Sequence, residues 1–346
     1  MTNDVELSIS DFRFPIGGAG LRYLTWGFVL LLVPMFASAQ IRDPQSAIAD
    51  SPEPRIPNPE SRMSVGQAII LGLVEGVTEY LPVSSTGHLI VVQRMMGIGN
   101  GGDESAKQAA DAYAICIQGG AILAVLLLYA RRAKQMGRGV IGRDPNGRRL
   151  LINIIAGFVP AAVIGLATHK YIEKYLMGGQ WDLWPTVAAW FVGGAAILAV
   201  AWWRKAHREG PAYGKSLEQL AWKAALLIGF LQCIAMWPGV SRSLVTIVAG
   251  VLVGLSLPAA VEFSFLLGVV TLGAATLYDG MKHGELMLHT YGPVSLIVGF
   301  VVAAISAALA VKWMVAYLNK HGLQLFGYYR IAAAVIVAAL LWWKVI

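Results

Sequence analysis

Residues Leu71–Val92, LGLVEGVTEYLPVSSTGHLIVV, decide how the rest of the chain is read. The stretch is apolar enough to lie in a membrane, yet it carries Glu75, Glu79, Ser84, Ser85, Thr86 and His88. Ionisable groups at bilayer depth are costly to keep and mark functional sites. Glu75 and Glu79 stand four apart, on one face of a helix. Like charges at that spacing repel, so the pair needs a cation, a shared proton or an arginine beside it. Pro82 breaks the helix, and Ser84-Ser85-Thr86-Gly87 reads as a polar turn that caps a second short helix. The start of a helix offers free N–H groups to an anion, phosphate above all. Carboxylates, hydroxyls, a histidine and an anion cradle inside a membrane point to phosphoryl chemistry on a lipid.

Composition sets the class. Of 346 residues, 57% are hydrophobic and 14% charged, and the mean hydropathy is +0.61. This is the balance of an all-α integral membrane protein. No zinc-type spacing, Walker loop or dinucleotide fingerprint is present. The basic residues gather at membrane flanks, so nucleic acid is not an expected partner. Cys116 and Cys233 lie in apolar stretches and read as buried small hydrophobes.

Residues 1–39 read as a signal peptide, with an uncleaved N-terminal anchor as the alternative. Arg13 and Arg22 precede an apolar run that ends in Ala37-Ser38-Ala39. Residues 40–62 form a proline-rich linker, and 63–346 a single membrane catalytic domain. Spans are expected near 112–130, 150–168, 184–203, 258–278, 291–311 and 325–345. The loop after the first holds Arg131, Arg132, Lys134, Arg138, Arg143, Arg148 and Arg149 against Asp144 alone, which makes it cytoplasmic. Arg204, Lys205, Arg208 and Lys215 after the third span, and Lys312 and Lys320 after the fifth, fit the same side. Residue 60 and the C-terminus are therefore external.

With that sidedness, 63–92 begins and ends outside, as a re-entrant hairpin. Such a segment is tolerable only where protein or a wet cavity satisfies its backbone. A second broken stretch, 224–256, enters from the inside and aligns with the first at an offset of 157 positions. Gly72 falls on Gly229, Glu75 on Gln232, Tyr80 on Trp237, Ser84 on Ser241 and Thr86 on Ser243. Three spans follow each stretch, so the expected fold is six transmembrane helices plus two re-entrant hairpins in an inverted-topology repeat, with halves at about 63–203 and 218–346. Such repeats place a site where their broken helices meet.

The second hairpin reads Pro238-Gly239-Val240-Ser241-Arg242-Ser243, then Thr246. Proline and glycine break the helix, the serines cap the next one, and the planar fork of Arg242 suits phosphate oxygens. The alternative for Arg242 is snorkelling to the interface. For Glu75 and Glu79 it is a solvated structural pair, and for Ser84 and Ser85 simple capping. His88, one turn past the serines, fits a general acid, although lone histidines are usually structural. Glu262 reads equally as a carboxylate supporting the site or as a boundary residue. Arg330 reads as snorkelling or structurally paired.

EGVTEYLPVSSTGHLI (75–90) and WPGVSRSLVT (237–246) together resemble the bacterial undecaprenyl-diphosphatase family of the bacitracin-resistance type. The resemblance runs from about Met63 to the C-terminus and includes IQGGAILAV (117–125) and EFSFLLGV (262–269). Leu244 departs from it, standing where the family often has glycine. The resemblance implies hydrolysis of undecaprenyl diphosphate to the monophosphate in the bacterial plasma membrane. It also implies a site open to the periplasmic side and dependence on a divalent cation, Mg²⁺ or Ca²⁺.

In the mechanism expected here, the diphosphate lies between the two serine turns. Arg242 and backbone N–H groups hold it, with Ser84, Thr86, Gln232, Ser241, Ser243 and Thr246 in binding roles. Glu75 and Glu79 hold the metal, or one of them acts as base. Ser85 is the candidate nucleophile, with water activated by Glu79 as the other route, and His88 protonates the leaving oxygen or orients the phosphate. The partners expected are a polyprenyl diphosphate and membrane lipids, with a homodimer left open. A flippase or secondary transporter of a phosphorylated lipid is the competing function, because the same architecture serves alternating access.

Overall fold

A computed structural model describes residues 63–99, 104–176, 183–207 and 209–346. The expected signal peptide or anchor and the proline-rich linker lie outside them. The described chain is helical apart from one isolated bridge between Lys215 and Leu255. In order it forms α1 (Val65–Thr78), α2 (Ser85–Met95), α3 (Glu104–Leu128), α4 (Ala130–Val140), α5 (Pro145–Leu176) and α6 (Trp184–Ala206). There follow α7 (Trp222–Gln232), α8 (Arg242–Leu252), α9 (Leu257–His321) and α10 (Gln324–Trp342).

Six segments are long and apolar enough to cross a membrane: Ala109–Leu128, Pro145–Thr168, Trp184–Ala206, Leu257–Tyr278, Thr290–His321 and Gln324–Trp342. They coincide with the expected spans. The connection between the fourth and fifth differs from expectation. Instead of a loop, α9 is helical from Leu257 to His321 and bends at Gly292, whose φ of 75° and ψ of 158° leave the helical region just before Pro293. Glycine adopts that φ without the Cβ penalty, and proline starts a helix well. A loop is thus replaced by a kink.

Four of the short helices, α1, α2, α7 and α8, make two broken pairs. α1 has 14 residues and the other three 11 each, against the roughly 20 that a bilayer requires. α1 starts on a capping box: Gln67 N–H donates to Ser64 Oγ at 3.2 Å and Ser64 N–H to Gln67 Oε1 at 2.9 Å. It ends where the chain turns through Tyr80–Val83. α7 passes into a 3₁₀ turn, Cys233–Met236, before Pro238 and Gly239.

Small residues set how closely these helices approach their neighbours. Without a hydrophobic drive between helices in lipid, small residues let backbones come together. Gly72 and Gly76, four apart on α1, lie against α9. A Cβ at Gly72 would sit 3.2 Å from Gly299 Cα, and one at Gly76 would overlap Ser306 Oγ and the Ala303 carbonyl. In the second pair, Gly229 of α7 lies on Gly157 of α5, where a Cβ would be 2.9 Å from Gly157 Cα. On another side, Val91 of α2 packs with Leu183, Val187 and Trp190 around α6 and with Ala334 and Val337 of α10.

Cys116 and Cys233 are free and half-buried rather than buried. Glu262 pairs with Arg132 at 2.7 Å, and Arg132 also meets Glu218 at 3.0 Å. The boundary reading of Glu262 is the one that fits.

The glycine contacts give a direct test. Gly76→Ala puts a methyl into occupied space and should cost about 1–3 kcal/mol of overpacking, lowering the melting temperature of the detergent-purified protein. Gly273→Ala, in a helix with nothing within 4 Å of the added carbon, should leave it unchanged or raise it. Equal melting temperatures for the two variants would contradict this packing.

Candidate active site

The break after α1 and the break before α8 are in contact. Ser243 Oγ donates to the Leu81 carbonyl at 2.9 Å and Ser241 Oγ to the same oxygen at 3.4 Å. Carbonyls freed at a helix break must find donors in apolar surroundings, and these two serines supply them. Ser241 also caps α8, accepting from Leu244 N–H at 3.2 Å. Leu244 is buried at this first turn. Thr246 Oγ1 bonds the Arg242 carbonyl at 2.9 Å and Ser264 Oγ at 2.6 Å. Ser241, Ser243 and Thr246, expected as substrate ligands, thus have their hydroxyls engaged in joining elements.

At this junction the Glu79 carboxylate is shared by the two breaks. Ser85 Oγ donates to Glu79 Oε2 in a short hydrogen bond, and Arg242 Nη2 lies 3.3 Å from Glu79 Oε1. Three expected site residues, 163 positions apart at their extremes, therefore converge on one carboxylate. Glu79 and Ser85 are buried, and the Arg242 side chain is only 10% exposed. Burial strengthens each of these contacts and makes an unpaired partner expensive.

Arg242 is positioned by residues that the sequence did not single out. Its Nη1 donates to the Ser264 carbonyl at 3.0 Å, and its guanidinium lies 5.2 Å from the centre of the Tyr80 ring. Gly268, one turn after Ser264, makes the room: a Cβ there would come within 2.6 Å of Nη2. Arg242 Nε is buried and has no partner. Snorkelling is excluded by this geometry. Ser264 and Gly268 lie in EFSFLLGV, whose serine and glycine at i and i+4 share a helix face, the one available sign.

Glu75 is 1% exposed, and neither of its oxygens receives a hydrogen bond. The carboxylate of Glu79 is its electrostatic neighbour. Two buried carboxylates side by side, one without any donor, form an oxygen donor set of the kind hard cations take. Among the described residues no three His, Cys, Asp or Glu cluster as metal ligands, so the remaining ligands would be substrate oxygens or water. Gln232, the counterpart of Glu75 at the repeat offset, is likewise buried, with neither amide atom partnered.

His88 stands differently from expectation. Its Nδ1 lies 2.6 Å from the Ser84 carbonyl, which can only accept, and its Nε2 lies 2.7 Å from Tyr329 Oη. The ring is held between Trp190 and Tyr329, at centroid distances of 4.6 and 5.7 Å. Both ring nitrogens are engaged, one of them on the Ser84 carbonyl. Ser84 occupies the capping position without making the side-chain cap, and its φ is 75°. A non-glycine residue there is strained, and such strain gathers at active sites. Thr86 is exposed.

Arg330 neither snorkels nor meets a carboxylate among the described residues. It is 1% exposed, and its donors run to main-chain carbonyls at both breaks.

Comparison with known proteins identifies the family. The family model for the bacitracin resistance protein BacA matches residues 68–336. An undecaprenyl-diphosphatase of Sorangium cellulosum is 43% identical over 272 residues, covering 78% of this chain and 84% of the relative. The undecaprenyl-diphosphatase 2 of Rhodospirillum rubrum is 41% identical over 278 residues, covering 80% and 94%. One from Methylococcus capsulatus is 40% identical over 271 residues, covering 78% and 92%. Six apolar spans and these relatives make this a multi-pass membrane protein, and the chain belongs to the BacA bacitracin-resistance family.

Proposed function

We infer that this chain is an undecaprenyl-diphosphate phosphatase, hydrolysing undecaprenyl diphosphate to undecaprenyl phosphate and inorganic phosphate. The observation that carries the reading is the hydrogen bond from Ser85 to Glu79 with Arg242 on the other carboxylate oxygen. A hydroxyl on a carboxylate is a nucleophile with its base, and an arginine beside them is a phosphate ligand. Ser85 Oγ attacks the terminal phosphorus and its proton passes to Glu79. The bond from that phosphorus to the bridging oxygen breaks, and undecaprenyl phosphate leaves. Water then hydrolyses the phosphoserine, releasing phosphate and restoring Ser85. Arg242 turns its fork to the phosphate oxygens, where charge accumulates in transfer.

Glu75 and Glu79 would hold a divalent cation, Mg²⁺ or Ca²⁺, which supplies neutralisation of phosphate charge. His88 keeps the Ser84 peptide, and hence Ser85, in place. Gln232 remains a candidate substrate contact because its buried amide has no protein partner. Ser84 and Thr86 flank the nucleophile. Ser85, Glu79 and Arg242 all come from one chain.

The two broken pairs are re-entrant hairpins of an inverted repeat. Each is too short to span, each is followed by three apolar segments, and the equivalent glycines Gly72 and Gly229 both pack on glycine backbone. The distribution of basic loops supports a site open to the periplasmic face of the bacterial plasma membrane. A flippase would need the anion contacts but not the serine–carboxylate pair.

Phosphate release from a C55 diphosphate in detergent separates these functions, since detergent offers no two compartments. The parent protein should release phosphate and fall silent in excess chelator. Ser85→Ala and Glu79→Gln should each lose at least about a hundredfold in kcat. Full activity in Ser85→Ala would remove the serine route, and full activity under chelator would remove the metal. Reporter fusions at residues 140 and 210 should score cytoplasmic, and those at 175 and 285 external. A cytoplasmic score at 175 overturns the sidedness.

A further inference from the structure

Arg330 is a cation in a buried position of the last span, after Gly327-Tyr328-Tyr329 and before a stretch of isoleucine, alanine and valine. Its donors are spent on four carbonyls. Nη1 reaches the Pro82 carbonyl at 3.4 Å, Nη2 the Ala189 and Gly239 carbonyls at 2.8 and 3.1 Å, and Nε the Trp190 carbonyl at 3.4 Å. Pro82 lies in the first break and Gly239 in the second, where the chain has left helical geometry and carbonyls need outside donors. The other two belong to α6. One planar guanidinium therefore ties both breaks to one transmembrane helix, a task for a rigid fork and not for a point charge.

The surroundings are shaped for this contact. Gly193 of α6 admits the guanidinium, since a Cβ there would lie 2.6 Å from Nη2. Thr186 and Trp190 of α6 fill the space beside Gly87, in the first turn of α2, and Gly239, in the second break. A Cβ on Gly87 would lie 2.6 Å from the Trp190 ring, and one on Gly239, whose φ is 84°, 2.6 Å from Thr186 Cα. The residue before Arg330 acts on the same break: Tyr329 Oη meets His88 Nε2, and His88 Nδ1 meets the carbonyl of Ser84, next to Ser85.

We propose that Arg330 is the positioning residue of this site, fixing the two breaks against α6 so that Ser85 and Arg242 meet on Glu79. It acts through the main chain of Pro82 and Gly239. The proposal rests on the reading of the Ser85–Glu79–Arg242 group as the hydrolytic centre. Misplacement of reacting groups by about 1 Å can cost about a hundredfold in rate without abolishing binding, so loss of the clamp should appear in kcat.

The test compares Arg330→Lys, Arg330→Gln and Gly193→Ala, the last leaving Arg330 in place but crowding its guanidinium. Steady-state kinetics on the C55 diphosphate are measured beside hydrogen–deuterium exchange of the same detergent samples. All three should lower kcat by at least about tenfold with KM within about threefold. Exchange should rise in peptides covering 81–87 and 238–242 and stay at parent level in α3 and α5. Arginine at 330 combined with Gly193→Ala should be no worse than Arg330→Lys. Parent kcat in Arg330→Lys, or exchange rising evenly through the protein, would overturn the proposal. A parent protein inert toward the lipid diphosphate would overturn the hydrolytic reading instead, and the local exchange response would then carry the clamp by itself.

Discussion

The two oxygens of Glu79 are what the rest of the structure serves. One accepts from Ser85, at the start of the helix after the first break, and the other faces Arg242, at the start of the helix after the second. For a carboxylate and a guanidinium to stay charged in an apolar interior they must be paired and hydrogen-bonded. That requirement forces two breaks, remote in sequence, into contact. Elements too short to cross a bilayer are useful here because each break brings a helix start with it.

Breaking a helix inside a membrane frees carbonyls, and the chain accounts for them one by one. Leu81 is taken by Ser241 and Ser243, and Pro82 and Gly239 by Arg330. The hydroxyls and the second arginine at the junction thus serve the backbone, whereas Ser85, Glu79 and Arg242 bond one another. Close helix approach at Gly72, Gly76 and Gly229 packs each broken pair against a long helix. The left-handed Ser84, held through its carbonyl by His88, aims the hydroxyl that follows it.

Much of this was legible in the sequence. The six spans follow from apolar length alone, and the breaks from Pro82 and Pro238-Gly239 inside otherwise apolar runs. Glu79, Ser85 and Arg242 stood out because ionisable and nucleophilic residues are costly at that depth. What stayed hidden depends on three-dimensional partners. Nothing in a one-dimensional pattern separates a serine that meets phosphate from one that satisfies a carbonyl, so Ser241, Ser243 and Thr246 read as ligands. His88 looked free to carry a proton because Tyr329 is 241 residues away. Arg330 looked like an interfacial cation because its partners are main-chain atoms, which carry no residue-specific signal. The segment before Gly292 read as a loop because it is polar, although its backbone is helical up to the kink.

The central claim is that both breaks bind one phosphate. An experimental structure of the protein with orthovanadate, which mimics a phosphoryl group in transfer, tests it most directly. The account predicts one vanadate contacting both Ser85 Oγ and the Arg242 guanidinium, with Glu79 at the rim of the same cavity. A vanadate held by one break alone, with the other on the far side of the membrane, would contradict it.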